Sequence, residues 1–164
     1  GLISFLGDAV TISSIKNYSD FPLSNLRKYN NNRFYNFNNI DPVSESDSII
    51  KFDFGSNKKI DLFSYFIRTG PDDSNGDHQK TWRIEGSNDD KSWTKLDRRW
   101  DDISLKDKFK ECHFICQLGS YGSENNLFRY IRYVQEGSWS IYSNREYIIQ
   151  ITYFELYGKV VTIE

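Results

Sequence analysis

A period of two in the apolar residues governs the reading of this chain. In SIIKFDFG, Ile50, Phe52 and Phe54 fall on one face, Lys51 and Asp53 on the other, and Gly55 ends the run. Successive side chains of a strand point to opposite faces, so this alternation belongs to a half-buried strand and not to a helix. DLFSYFIRTG repeats it, with Phe63, Tyr65 and Ile67 expected inward, and stops at Gly70 and Pro71. KTWRIEGSND sets Trp82 and Ile84 against Arg83 and Glu85; after a polar turn SWTKLD resumes at Trp93, which is hairpin spacing. CHFICQL sets Cys112, Phe114, Cys116 and Leu118 against His113, Ile115 and Gln117. FRYIRYVQEG and YIIQITYFELYG are aromatic and β-branched on both faces, as central strands of packed sheets are. Helical spacing is confined to a turn or two in NLRKYNNN near Asn25 and DDISLKD near Asp101. Short strands divided by turn residues, with almost no helix, predict an all-β protein: an antiparallel β-sandwich or jelly roll.

Composition supports a packed core and excludes several functions. The 164 residues suit one domain spanning residues 1–164. A chain of that length buries on the order of 70% of its unfolded surface. Aromatic residues reach 16%, which argues against disorder although the hydrophobic fraction is only 38%. The balance of 21 basic against 23 acidic residues gives a formal charge of −2, with no block of like charge. Nucleic acid and anionic membrane surfaces are therefore not the expected partners. No stretch approaches the roughly 18 apolar residues of a membrane span. The opening GLISFLGDAV has neither a basic leader nor a small-residue cleavage site, so no signal peptide is expected there. The chain starts at Gly1 and holds no Met, which leads us to expect a piece of a longer, multidomain polypeptide.

Five stretches in order, KFDFGSNKKI, LFSYFIRTG, HQKTWRIEGSNDDKSWTKLDRR, LFRYIRYVQEG and ITYFELYG, resemble the discoidin-type domain, also called coagulation-factor type C. The likeness runs from about Leu2 to Gly158 and is greatest to an intracellular protist branch attached to BTB modules. It implies a galactose-binding-like jelly roll whose chain ends lie close together and whose ligands bind on loops at one end. Trp82 and Trp93 suit an inter-sheet core, each indole N–H needing a partner. Gly86, Ser87, Asn88 and Asp89 suit a turn. Arg132 and Glu155, in two late strands, are expected to pair. Extracellular members usually join their ends by a disulfide, whereas the two Cys here are Cys112 and Cys116. Four positions along a strand span roughly 13 Å, beyond the ~7 Å between Cα atoms that a bridge allows. Free thiols and a cytoplasmic location are therefore expected.

Chemistry-bearing residues are few. CHFIC invites zinc, with His78 elsewhere, but alternation turns His113 away from both thiols and the spacing matches no zinc knuckle. GPDDSNGDHQ gathers Asp72, Asp73, Asn75 and Asp77, oxygen ligands suited to calcium. As an EF-hand it fails, because His78 stands in the glycine slot. The expectation is no cofactor, with calcium at this loop as the exception. No G-x-S-x-G elbow, H-E-x-x-H or phosphate-cradling glycine loop is present, so no enzymatic activity is expected. The triplet Asn17–Ser19 matches a glycosylation acceptor, a common chance occurrence in a chain this rich in Asn and Ser.

Three loops would share the ligand end of such a fold: around Tyr35 to Asn39, the acidic loop from Asp72 to His78, and GSWSIYSNREY from Gly137 to Tyr147. The candidate ligand-binding residues are Tyr35, Asn36, Asn38, Asp73, His78, Trp139, Tyr142 and Arg145. Exposed aromatics anchor partners or sugar faces, and Arg145 offers a bidentate donor. The alternative for Trp139 is to seal the sandwich end. The resemblance implies both protein recruitment, as in a subunit of the anaphase-promoting ubiquitin ligase, and glycan or lipid-headgroup binding in extracellular and microbial relatives. The first expectation is a non-catalytic module for a protein or peptide partner. The second is a carbohydrate-binding module using Trp139, Tyr142, Tyr35 and Arg145, and the third an architectural domain packed on neighbouring domains of a parent chain.

Overall fold

The computed structural model describes residues 1–36, 42–71 and 75–164. A short helix α1 (Leu2–Leu6) precedes strands β1 (Thr11–Ser13), β2 (Phe34–Tyr35), β3 (Ile49–Asp53), β4 (Lys58–Thr69) and β5 (Gln79–Ser87). Strands β6 (Thr94–Arg99), β7 (Glu111–Ile115), β8 (Leu127–Phe128), β9 (Tyr130–Ser138) and β10 (Gln150–Thr162) follow. One sheet has the order β1-β3-β9-β5-β6 and the other β2-β10-β4-β7, with β8 also on β4. Every pairing is antiparallel. Most successive strands change sheet, as a jelly roll requires, and β5–β6 forms the hairpin that the Trp82 and Trp93 runs announced.

The facing sides of the two sheets enclose an aromatic core. Ile50, Phe52 and Phe54 of the first run are all buried, as are Trp82 and Ile84. Tyr65 stacks on Phe114 at 5.2 Å between ring centres and on Phe154 at 6.2 Å. Tyr133 meets Phe154 edge-on at 5.8 Å. Such pairs add about 0.5–1.5 kcal/mol each beyond the area they bury.

The alternation of β4 is broken once. Leu62 pairs with Gly158 and Ser64 with Tyr157, which leaves Phe63 as an extra residue, a β-bulge. Ile60 and Leu62 before it, and Tyr65 and Ile67 after it, all face the core, while Phe63 is 42% exposed and lies 5.1 Å from the Tyr121 ring. Phe63 therefore points outward, contrary to the simple alternation. Gly158 is required opposite the bulge, because a Cβ there would lie 2.1 Å from the Asp61 carbonyl oxygen.

Other expectations are corrected by the same geometry. Trp93 sits half-buried on the outer face of the first sheet, beneath the Arg132 guanidinium at 3.9 Å, and not between the sheets. Arg132 pairs with Glu85 at 2.7 Å and not with Glu155, since β9 and β10 belong to different sheets. Glu155 instead accepts from the Ile3 and Ser4 amides at 2.7 and 3.0 Å, tying α1 to the last strand. Gly86 lies within β5, where a Cβ would come 2.4 Å from the Phe128 ring; the turn itself is closed by Ser87 and Asp89. The turn near Asn25 is a 3₁₀ segment, Leu23–Arg27, while the stretch after Asp101 forms no helix. Cys112 and Cys116 are free thiols, both half-buried, and burial, then the Asp97 charge, pushes the Cys116 thiol up to about 12.

Candidate functional site

The strand order brings four connections to one end of the sandwich: β2 to β3, β4 to β5, β6 to β7 and β9 to β10. Registers fix this, since Tyr35 lies opposite Gln150, Ile151 opposite Thr69 and Gln79 opposite Ser138. The three loops singled out from the sequence therefore converge.

They are joined by a buried polar group to which each contributes one residue. Arg145 Nε donates to Asp77 Oδ1 at 3.0 Å, and an Arg145 terminal nitrogen donates to Asp77 Oδ2. The same guanidinium donates to the Tyr35 hydroxyl at 2.5 Å, and that hydroxyl donates to Asp77 Oδ2 at 3.2 Å. Asp77 is wholly buried, and Tyr35 nearly so. A carboxylate so far from water is tolerable only when paired and hydrogen-bonded, so Tyr35, Asp77 and Arg145 are held together by the cost of separating them.

Main-chain bonds reinforce the junction. Trp139 N–H donates to the His78 carbonyl at 2.9 Å, and Ile141 N–H to the Asn75 carbonyl at 3.1 Å. Ser138 Oγ donates to the Arg145 carbonyl at 2.9 Å, closing the β9–β10 connection on itself. Asn36 is fully buried: its amide nitrogen donates to Ser48 Oγ and the Tyr147 carbonyl, and its oxygen accepts from Ile149 N–H at 2.7 Å. Asn36 thus fixes the start of β10, and its amide is used within the protein.

The ligand candidates separate into buried and rim positions. Tyr35, Asn36 and His78 are buried. Trp139 is half-buried, its indole N–H donating to the Asp102 carbonyl at 3.1 Å, with the Lys106 and Lys80 ammonium groups 4.3 and 5.0 Å from its ring centre. Tyr142 is 49% exposed and its neighbour Ile141 71% exposed, so these two form the rim. Asn38, Asp72 and Asp73 lie outside the described residues. Asp77, read from sequence as a possible calcium ligand, is neutralised by Arg145. Among the described residues no group of three or more His, Cys, Asp or Glu is placed to hold a metal. No described helix is long and apolar enough to cross a membrane. Sequence reading missed Ile141 and the two lysines around Trp139. Lys80, in β5, and Lys106, in the β6–β7 connection, stand 26 positions apart, with no local pattern to link them to the ring.

No family model and no curated protein sequence matches the chain. Solved structures do. The family 32 carbohydrate-binding module of NanJ from Clostridium perfringens, in complex with galactose, superposes with a TM-score of 0.60 at 13% identity, over 90% of this chain and 93% of that one. The fold is the galactose-binding-like β-sandwich. A second match, the family 32 module of AlyQ in complex with 4,5-unsaturated mannuronic acid, has a TM-score of 0.60 at 15% identity, over 91% of this chain and 95% of that one. The family 89 glycoside hydrolase from Clostridium perfringens matches with a TM-score of 0.61 at 13% identity, over 94% of this chain but 14% of the enzyme. The present chain therefore spans a small part of that enzyme's length. In this galactose-binding-like fold, the Tyr35–Asp77–Arg145 junction occupies the end where the long connections meet.

Proposed function

We propose that the chain is a non-catalytic module that recognises a carbohydrate through the loops at the Tyr35–Asp77–Arg145 end. The observation that carries this reading is the junction itself, which ties Tyr35, Asp77 and Arg145 together beneath an exposed aromatic rim residue, Tyr142. Side chains fixed before a ligand arrives lose little entropy on binding it. Tyr142 supplies a flat apolar face for a sugar ring, and the polar loops around it supply donors and acceptors. The sugar-bound modules among the structural neighbours support this ligand class over a protein or peptide. Asp77 is satisfied by Arg145, which supports recognition without a bound ion. The free Cys112 and Cys116 support a reducing compartment.

Glycan-array screening followed by calorimetric titration of the best hit tests the reading. Binding is expected to fall by at least about tenfold in Tyr142→Ala, the scale of one lost stacking contact. A protein partner is the second reading, favoured by Ile141 standing exposed beside Tyr142 as an apolar pair. A flat array, together with specific capture of a protein that Tyr142→Ala abolishes, would replace the first reading by the second.

A further inference from the structure

A second groove lies on the outer face of the β1-β3-β9-β5-β6 sheet, lined by residues that take no part in the Tyr35–Asp77–Arg145 junction. Its volume is about 320 Å³, and Ser14, Ile15, Lys51, Asp90, Trp93 and Arg132 line it. That is the lower end of the size range of small-molecule sites, roughly 300–1,000 Å³.

Its walls are fixed by bonds among the lining residues and by bonds to Ser87, Asp89 and Glu85 beside them. In the β5–β6 turn, Ser87 Oγ accepts from the Asp90 amide at 3.0 Å, and Asp89 Oδ1 accepts from the Lys91 and Ser92 amides at 2.9 and 2.7 Å. Asp90 is held at φ 58°, a left-handed conformation unusual for a residue with a side chain, and its carboxylate meets the Lys51 ammonium at 2.6 Å. The Trp93 ring is clamped by the Arg132 guanidinium at 3.9 Å, itself held by Glu85 at 2.7 Å.

The functional groups left facing the groove define its ligand. Trp93 lines the groove, and its indole N–H, like that of the exposed Trp100 and unlike those of Trp82 and Trp139, has no protein acceptor among the described residues. Arg132 is balanced by Glu85 and Lys51 by Asp90, so no net charge selects an ion. Apolar surface remains on Trp93 and on Ile15, which is 67% exposed. Donors, an acceptor and an apolar wall at one neutral site match a pyranose ring, whose hydroxyls both donate and accept and whose C–H face is apolar.

We propose that this groove is a binding site for a single neutral sugar residue. The Trp93 N–H and the Lys51 ammonium donate to sugar oxygens, and the Asp90 carboxylate accepts from hydroxyls. The proposal does not rest on the loop-end reading.

Nitrogen–proton correlation spectra of the protein, titrated with methyl β-galactoside, methyl α-mannoside and methyl β-glucoside, test it, with glucuronate and inorganic phosphate as charged comparators. The expected result is a saturable shift of the Trp93 side-chain N–H and the Asp90 amide with at least one neutral glycoside. Trp93→Phe keeps a ring beneath Arg132 but removes the N–H, and should bind that glycoside about tenfold more weakly; its correlation spectrum shows whether it is folded. The Ile141 and Tyr142 amides report the loop end in the same spectra, so the two sites succeed or fail separately. The proposal is overturned by no response at Trp93 to any neutral glycoside, by a response to glucuronate or phosphate alone, or by unchanged affinity in Trp93→Phe.

Discussion

The Tyr65 hydroxyl donates to the Asp97 carboxylate at 2.7 Å, a bond that crosses from β4 in one sheet to β6 in the other. Trp82 N–H donates to the same hydroxyl at 2.9 Å, and Asp97 also accepts from Arg99 Nε at 2.9 Å and from the Gln117 amide at 3.3 Å. Burial, then the Asp97 charge, holds the Tyr65 phenol well above its usual range. The network is satisfied from end to end. Tyr65→Phe leaves the Trp82 N–H without its acceptor and removes one donor from Asp97, and should cost about 1–3 kcal/mol. Urea unfolding should show a lower midpoint at unchanged slope.

The loop junction should respond differently from the rim. Arg145→Ala strands the buried Asp77 carboxylate, and should lower stability by about 3–5 kcal/mol while abolishing loop-end binding. Tyr142→Ala should leave the unfolding free energy within about 0.5 kcal/mol of the parent, as exposed substitutions do, and lose binding alone. Paired denaturation and calorimetry of the two variants separate the roles.

Glu155 should govern the first turn of the chain and little else. The buried carboxylate accepts from Ile3 N–H, Ser4 N–H and, at 2.5 Å, Ser4 Oγ. Glu155→Gln replaces charge-assisted bonds, worth about 1.5–3 kcal/mol each, by neutral ones. Hydrogen exchange should show the Ile3 and Ser4 amides losing protection, with β9 amides beside Arg132 unchanged.

Cys116 should be a poor nucleophile until the protein unfolds. Its thiol, at about 12 against an ordinary 9.0, has roughly a thousandfold less thiolate near neutral pH. The greater intrinsic reactivity of a more basic thiolate recovers part of that, leaving alkylation roughly 50-fold slower than in the unfolded chain. In Cys112→Ser, native and denatured iodoacetamide rates check this, and equal rates would refute the burial argument.

Acid should weaken the Asp53–Arg129 pair in a defined direction. Arg129 Nε and a terminal nitrogen each donate to Asp53 at 2.9 Å, and this hydrogen bonding, opposed by partial burial, holds Asp53 below its ordinary 3.8. The unfolded state therefore binds the proton more readily, and stability rises with pH through this range. The contribution is complete above 3.8 and is lost as pH falls through the lowered folded value. Arg129→Met should flatten the acid limb of stability against pH, measured by urea midpoints.

The sandwich was legible because Ile50, Phe52 and Phe54 in one run, and Trp82 and Ile84 in another, alternate with more polar neighbours and are all buried. The site was legible at the level of loops: Tyr35, Asp77 and Arg145 each lay in one of the three segments expected to meet. That Asp77 serves Arg145 was not, since the partner stands 68 positions away and local acidity suggested an ion instead. Trp93 misled because a tryptophan after a polar turn reads as core, whereas the turn delivers it to the outer face under Arg132. Helix α1, five residues long, is too short to persist alone, so its stability comes from Glu155 at the far end of the sequence and leaves no local signal.

The extra residue at Phe63 gives β4 two reading frames, one for Ile60 and Leu62 and another for Tyr65 and Ile67. Drawing Phe63 into the regular ladder would turn one half of the strand inside out, moving either Ile60 and Leu62 or Tyr65 and Ile67 toward water, whereas removing the residue would merge the two frames into one unbroken alternation. While position 63 is present, what the core requires is the bulge that keeps it out of the ladder, not the kind of side chain it carries.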